Sequence, residues 1–137
     1  MTPSRAQGAP VPANSDGKVV LIVEDDEDSQ FVYRVILESH GFEVATADSG
    51  HEGFRLARER HPNAIVMDVS VPGIDGWTLT ERLKRDPVTA QIPVIVVTAH
   101  AFPEDRGRAE SIGCEGFLTK PCEPRRVLEE VCRVIDL

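Results

Sequence analysis

The stretch "KVVLIVEDDEDSQ", residues 18 to 30, places an apolar run directly before five consecutive acidic residues. The run at residues 18–23 is rich in β-branched side chains, which is typical of a strand covered on both faces. Residues 28–40, which follow, are predicted to form a helix, and Gly41 after them is a typical helix stop. Apolar residues at helical spacing support that helix, namely Phe31, Val32, Val35 and Ile36. The stretch predicts a strand, an acidic loop and a helix in succession.

The rest of the chain repeats this alternation of short apolar runs and amphipathic segments four more times. Further strands are predicted at residues 42–47, 64–68, 92–98 and 115–119. Further helices are predicted at about residues 50–60, 76–85, 103–112 and 124–136. Five strand–helix units in series predict an α/β fold, in which a parallel sheet is covered by helices on both faces.

Composition limits the domain organisation and the classes of function. A length of 137 residues suits one domain, which we predict to comprise residues 18–137. Residues 1–17 are rich in Pro, Ala, Ser and Gly and are predicted to form a flexible tail. The net charge of -8 opposes direct binding of nucleic acid. No apolar run approaches the length of a membrane helix. Three cysteines without metal-ligand spacing indicate reduced thiols, so we predict a cytoplasmic protein.

Acidic residues follow two of the predicted strands. Glu24 and Asp25 follow the first strand, and Asp68 ends the third. In a flavodoxin-like, doubly wound sheet of order 2-1-3-4-5, ligands bind where the first and third strands lie side by side. Three carboxylates in one crevice need a cation to offset their repulsion, and all-oxygen ligands suit Mg²⁺. The remaining acids, residues 26–28, are predicted to cap the following helix.

A phosphoryl donor bound beside that cation would give Asp68 a role as a nucleophile. Thr98 ends the fourth predicted strand, and its hydroxyl can bind a phosphoryl oxygen. Lys120 follows the fifth strand and supplies a positive charge at the same edge of the sheet. Positioning and charge stabilisation of this kind are the protein's main contribution to phosphoryl transfer.

These residues lie in four short motifs, "VLIVEDD" (20–26), "IVMDVSVPGIDGW" (65–77), "VIVVTAHA" (94–101) and "GFLTKP" (116–121). In this order and spacing the chain resembles the receiver domains of two-component response regulators, of the chemotaxis-regulator type, from residue 18 to about residue 136. The resemblance implies a signalling module that is not a conventional enzyme, although it assists its own phosphorylation and dephosphorylation. Asp68 would take a phosphoryl group from a phosphohistidine of a sensor histidine kinase or a histidine phosphotransfer protein.

The resemblance also implies roles for the other site residues. Glu24, Asp25, Asp68 and the backbone carbonyl of Ser70 would hold Mg²⁺, with Asp25 the more direct ligand of the acidic pair. Thr98 and Lys120 would bind the phosphoryl group, and the Lys120–Pro121 bond is expected to be cis. Phe117 stands at the family's aromatic switch position, where the ring becomes buried as Thr98 moves toward the phosphate.

Partners are implied in the same way. The first helix, with Gln30, Phe31 and Arg34 near the site, would meet the kinase. The surface of helix four, strand five and helix five would meet a downstream protein or a second copy of the chain, with no nucleic acid and no membrane involved. Whether the chain acts alone or within a larger protein stays open at this stage.

Two alternatives to this function remain. One is a degenerate receiver that acts as an interaction module without phosphorylation, although the chain keeps the acid pair, the aspartate and the lysine. The other is an aspartate-nucleophile phosphatase, for which residues 26–28 offer a D-x-D pattern. That chemistry also needs a late acidic pair at a strand end, and the later adjacent acids, Glu129 and Glu130, lie in a predicted helix.

Overall fold

In the computed structural model, residues 17–99 and 102–136 are described, and they alternate strictly between strand and helix. The strands are β1 (Val19–Val23), β2 (Glu43–Ala47), β3 (Ala64–Asp68), β4 (Val94–Thr98) and β5 (Gly116–Thr119). The helices are α1 (Glu27–Glu38), α2 (Gly50–Arg60), α3 (Gly76–Arg85), α4 (Pro103–Ile112) and α5 (Pro124–Ile135). All ten predicted elements are present.

The strands form one parallel sheet in the order β2-β1-β3-β4-β5. This is the flavodoxin-like order, so the predicted fold class is confirmed. In register, Val23 at the end of β1 pairs with Met67, and Asp68 at the end of β3 pairs with Val97. The carboxyl ends of the central strands therefore meet at one edge of the sheet.

The sheet separates two hydrophobic clusters because successive side chains of a strand point to opposite faces. Val20 and Ile22 of β1 pack in the cluster beneath α1 and α5, whereas Leu21 and Val23 pack in the cluster beneath α2, α3 and α4. All five residues of β3 and of β4 are buried. Covered on both faces, these central strands give the site a rigid base.

Element boundaries differ from the prediction by up to two residues, for local reasons. The helix α1 ends at Glu38, because the amides of His40 and Gly41 form tight turns onto carbonyls three residues earlier. The strand β4 begins at Val94 because Pro93 has no N–H to give the ladder. Asp75 caps α3, because its carboxylate accepts a hydrogen bond of 3.0 Å from the Thr78 amide.

The buried face of helix α1 is not the face that the spacing of its apolar residues indicates. An apolar stripe usually marks the buried face of a helix. Here the buried side chains of α1 are Tyr33 and Leu37, while Phe31 is 66% exposed and Val32 and Val35 are 41% and 49% exposed. Three of the four apolar residues that predicted the helix thus form an outward patch, whereas Ile36 packs against the cluster beneath α1 and α5.

The predicted flexible tail lies outside the described residues, apart from Gly17, as does the final residue of the predicted domain. In the part of the chain that is described, no helix is long and apolar enough to cross a membrane. The three cysteines, Cys114, Cys122 and Cys132, are free thiols in this structure.

Candidate functional site

The carboxyl edge of the sheet brings together four of the residues predicted for the site. Glu24 directly follows β1, Asp68 ends β3, Thr98 ends β4 and Lys120 directly follows β5. Glu24 and Asp68 are 1% and 3% exposed, which is exceptional for acidic residues, and Thr98 is 4% exposed. A hydrogen bond of 2.7 Å from the Lys120 amide to the Thr98 carbonyl continues the β4–β5 ladder into the site.

Lys120 joins the two buried carboxylates. Its Nζ lies 3.1 Å from Glu24 Oε1 and 3.1 Å from Asp68 Oδ2. The peptide bond that follows, Lys120–Pro121, is cis, as the family resemblance implied. Two carboxylates buried side by side repel each other, and the shared ammonium offsets that repulsion.

Asp68 is held as an anion. Its Oδ1 accepts hydrogen bonds from the Ser70 amide at 3.0 Å and the Ser70 hydroxyl at 2.9 Å. Burial alone would raise the pKa of Asp68, but the hydrogen bonds from the Ser70 amide, Glu24, the Ser70 hydroxyl and Lys120 hold that pKa below its ordinary value. An ionised carboxylate is the form that a nucleophile requires.

Glu24 shows the opposite behaviour. Burial raises the pKa of Glu24 to about 7, and the neighbouring Asp68 adds to the rise. Hydrogen bonds from the Asp26 amide, 3.1 Å from Oε2, and from Lys120 oppose it. The pKa values of the two carboxyls therefore shift in opposite directions, so that Glu24 is more readily protonated than Asp68 when no cation is bound.

The acidic residues fit a hard divalent cation. Ligand atoms of Glu24, Asp25 and Asp68 all lie within 4.8 Å of one another, and Asp25 is the exposed member that faces solvent. Carboxylate oxygens alone suit Mg²⁺ or Ca²⁺ rather than Zn²⁺, and a site open on one side leaves room for the waters that Mg²⁺ keeps. The role of the Ser70 carbonyl in this site stays a prediction.

The loops around the site are fixed by local interactions. Asp26 caps α1, because its carboxylate accepts hydrogen bonds from the Ser29 amide at 3.1 Å and the Ser29 hydroxyl at 2.7 Å. This confirms the predicted capping role for Asp26 and leaves it unsuited to the phosphatase alternative. Glu129 and Glu130 lie within α5, each paired with an arginine, so the late acidic pair of that alternative is also missing from the site.

Two contacts of the site were not predicted from the sequence. The side-chain amide of Gln30 donates to the carbonyl of Glu24, and so ties the first turn of α1 to the end of β1. Gly76 packs against the loop after Asp68, where a Cβ would lie 2.4 Å from Val69 Cα and 2.7 Å from the Asp68 carbonyl oxygen. The run "VPGIDG" at residues 71–76 is rich in turn-forming residues, but the close approach of Gly76 to the backbone is visible only in three dimensions.

Phe117, the predicted switch residue, lies on β5 beside Val96 of β4, two residues before the end of the strand. Its ring is half-buried and packs against the hydrophobic cluster beneath α2, α3 and α4. The guanidinium of Arg106 in α4 covers the ring, with Cζ 4.6 Å from the ring centroid. The ring therefore lies between the core and the surface in this structure.

Comparisons with known proteins agree with this geometry. The family model of the response regulator receiver domain matches residues 20–132. The polar-differentiation response regulator DivK of Brucella ovis is 40% identical over 114 residues, which are 83% of this chain and 93% of that protein.

Solved structures are similar over nearly the whole chain. The chemotaxis response regulator CheY4 of Vibrio cholerae has a TM-score of 0.80 at 26% identity, over 85% of this chain and 98% of the other. The receiver domain of a sensor histidine kinase from Pseudomonas aeruginosa has a TM-score of 0.80 at 29% identity, over 88% of this chain and 99% of the other. The latter structure has a magnesium ion coordinated in its active site cleft.

Proposed function

The chain belongs to the response regulator receiver domain family, and on that premise we propose that Asp68 accepts a phosphoryl group from a phosphohistidine in a Mg²⁺-dependent reaction. The observation that carries the proposal is the shared contact of Lys120 with the two buried carboxylates, at 3.1 Å from each. A lysine in an ordinary structural ion pair needs one acidic partner. This site instead holds two buried carboxylates, those of Glu24 and Asp68, beside the exposed carboxylate of Asp25. That excess of negative charge is suited to a divalent cation.

Each residue of the site has a role in the proposed reaction. An oxygen of Asp68 attacks phosphorus, the P–N bond to the donor imidazole breaks, and the bonding electron pair leaves on the imidazole nitrogen. Bound Mg²⁺ would neutralise charge on the phosphoryl oxygens. Glu24, Asp25, Asp68 and the Ser70 carbonyl would hold it, and Glu24 would give up its proton in doing so.

Lys120 and Thr98 would receive the transferred group. The ammonium, already 3.1 Å from Asp68 Oδ2, can move a short distance to a phosphoryl oxygen. The Thr98 hydroxyl lies on the adjacent strand end, and its movement toward the phosphate would draw the Phe117 ring inward. Such a domain is a signalling module rather than a conventional enzyme, since its product is its own modified state.

The proposed partners follow from the exposed surfaces. A sensor histidine kinase or histidine phosphotransfer protein would dock on α1, where Phe31, Val32 and Val35 form an apolar patch beside the site. The α4–β5–α5 surface would meet a downstream protein or a second copy of the chain. We place this exchange in the cytoplasm, where phosphohistidine donors of this kind act, with no contact to nucleic acid or membrane.

Intact-protein mass spectrometry tests the proposal. After incubation with acetyl phosphate and Mg²⁺ we expect a gain of one phosphoryl group, which EDTA and the Asp68→Asn substitution both abolish. Asp28→Asn is the matched control, because Asp28 is an exposed acid in the first turn of α1, outside the site. If neither a mass gain nor binding of beryllofluoride with Mg²⁺ is observed, the phosphoacceptor proposal is wrong and the interaction-module alternative replaces it.

A further inference from the structure

Helix α4 has an unusually small apolar contact with the rest of the domain. Within its described residues the one buried side chain is Ala109, whereas α5 buries five side chains. Helices in proteins owe most of their stability to the packing of an apolar face. The sequence of α4, "PEDRGRAESI", offers almost no such face.

Local interactions in α4 make up for this deficit only in part, although Pro103 in the first turn and the left-handed cap at Gly113 favour the helix. The residue at the N-cap is Phe102, whose side chain has no oxygen or nitrogen that could bind the first amides of the helix. Gly107 lies in the middle of the helix, where glycine is less favourable than alanine by about 1 kcal/mol. Besides the contacts of Ala109 and Ile112 with the core, other tertiary contacts of the helix are therefore expected to contribute to its position.

Two arginines supply those contacts, one on each side of the helix. The Cζ atom of Arg106 lies 4.6 Å from the centroid of the Phe117 ring on β5, and that of Arg108 lies 4.9 Å from the centroid of the Trp77 ring on α3. Residues two apart in a helix point in different directions, so the pair reaches rings on two different elements. Arginine is well suited to this role, because its planar guanidinium stacks on aromatic faces while it stays hydrated.

We infer that Arg106 and Arg108 dock α4 on the domain, and that Arg106 is a positioning residue that holds the Phe117 ring in the half-buried position of this structure, which we call its outer position. The first part depends only on the packing of α4. The second part rests on the proposed function, in which the ring moves inward when Asp68 carries a phosphoryl group. Inward movement breaks the Arg106 contact, so Arg106 opposes the switch.

The same movement would change the surface that a downstream partner meets. Arg106 and Phe117 line a groove between α4 and α5, together with Glu110, Glu130 and Arg133. Once the ring is buried, the Arg106 guanidinium is free to turn toward solvent. Phosphorylation would then remove an aromatic ring from this groove and present a mobile positive charge in its place.

Thermodynamic linkage makes this inference measurable. A contact present only in the outer state of Phe117 lowers the affinity for any ligand that favours the inner state. An exposed cation–π contact corresponds to a factor of about two to five in an equilibrium constant. The Arg106→Ala substitution should therefore raise the affinity for beryllofluoride, a phosphoryl mimic, about two- to fivefold.

Calorimetric titration of beryllofluoride at saturating Mg²⁺, with the whole chain, provides the test. Arg108→Ala is the matched control, since it removes an arginine from the same helix without touching Phe117. We expect Arg106→Ala to bind about two- to fivefold more tightly than wild type, and Arg108→Ala to bind within about twofold of it. Trp77 is the single tryptophan of the chain, so its fluorescence should change in Arg108→Ala but not in Arg106→Ala before ligand is added.

The possible results separate the inference from the function on which it rests. Unchanged or weaker binding by Arg106→Ala would refute the coupling to Phe117 while leaving the phosphoacceptor function intact. Equal tightening in both variants would mean that loosening α4 in general favours the switch, which would also overturn the specific role of Arg106. If wild type itself binds no beryllofluoride, the proposed function fails and the coupling fails with it.

Discussion

Replacing Lys120 by methionine should convert the site from one that is neutralised internally into one that depends on Mg²⁺ for stability. Methionine keeps the unbranched shape and most of the length of the side chain but removes the ammonium that lies 3.1 Å from both Glu24 Oε1 and Asp68 Oδ2. The two carboxylates, with side chains 2% and 4% exposed, would then share the site without a cation. The perturbation thus targets the charge balance of the site with little change in volume.

The magnitude follows from the burial of the three groups. At an effective dielectric constant of about 20, each 3.1 Å contact corresponds to about 5 kcal/mol of attraction, most of which offsets desolvation. Removing one partner of a fully buried pair costs about 3–5 kcal/mol. Because the Lys120 side chain is 27% exposed and Glu24 can take up a proton, we expect a loss of about 2–4 kcal/mol in EDTA.

Magnesium should restore much of that loss. A cation bound only by the folded state stabilises it by about 2.7 kcal/mol at a hundredfold excess over its dissociation constant. Without the competing ammonium we expect Mg²⁺ to bind Lys120→Met at least tenfold more tightly than wild type, which adds about 1.4 kcal/mol to its effect. Urea denaturation of both proteins, in EDTA and in saturating Mg²⁺, measures the four free energies of unfolding.

Lys84→Met is the matched control. The Lys84 ammonium lies 3.0 Å from both carboxylate oxygens of Glu115 and 2.9 Å from the Ile92 carbonyl, at the opposite end of the sheet from the site. Its side chain is only 12% exposed, so the substitution should lower stability by a similar amount, but Mg²⁺ should not restore it. If Mg²⁺ stabilises Lys120→Met no more than wild type and Lys84→Met, the site does not bind the cation through Glu24 and Asp68, and the reasoning is wrong.

Three further predictions concern the elements that support the site. Asp75→Ala should lower the free energy of unfolding by about 1 kcal/mol at neutral pH, because the cap of α3 is lost. Hydrogen bonds from Thr78 lower the pKa of Asp75, so its contribution is complete above the ordinary aspartate value and disappears as pH falls through the lowered one. Thermal unfolding should therefore show wild type losing its stability advantage over Asp75→Ala at acidic pH, and a constant difference would contradict the capping role. Gly76→Ala should cost about 1–3 kcal/mol and slow phosphorylation by acetyl phosphate, because its Cβ would meet the backbone at Val69. Gly107→Ala, where nothing lies within 4 Å of the added Cβ, should instead stabilise the protein by about 0.5–1 kcal/mol, and equal effects of the two substitutions would refute the packing argument.

Much of the fold was predictable because the relevant signals are local. Strand β3, at residues 64–68, matches its predicted bounds. A short apolar run that ends at an acidic residue is typical of a buried strand. The cap at Asp75 and the glycine stop at Gly113, with φ of 98°, depend only on neighbouring residues. Observed boundaries differ from the predicted ones where backbone hydrogen bonding sets the end of an element. Strand β4, for example, begins after Pro93, which has no N–H to donate.

The chemical content of the site was predictable for a related reason. In a parallel sheet, the residues that follow the strands meet at one edge, so Glu24, Asp68, Thr98 and Lys120 could be grouped from their positions alone. Their types then indicated phosphoryl chemistry. The division of charge within the site was not predictable, because the opposite pKa shifts of Glu24 and Asp68 depend on burial and on hydrogen bonds that need coordinates.

The sequence by itself determined the order of the strands and helices, the residue types at each strand end and the family to which the chain is similar. Only the tertiary structure decided which apolar residues are used for packing. Phe31 on α1 is exposed, and α4 buries only Ala109 while Arg106 and Arg108 contact aromatic rings on two neighbouring elements. The physical reason is that periodicity along a chain records where apolar side chains point around a helix axis, whereas burial depends on what the neighbouring elements place opposite them.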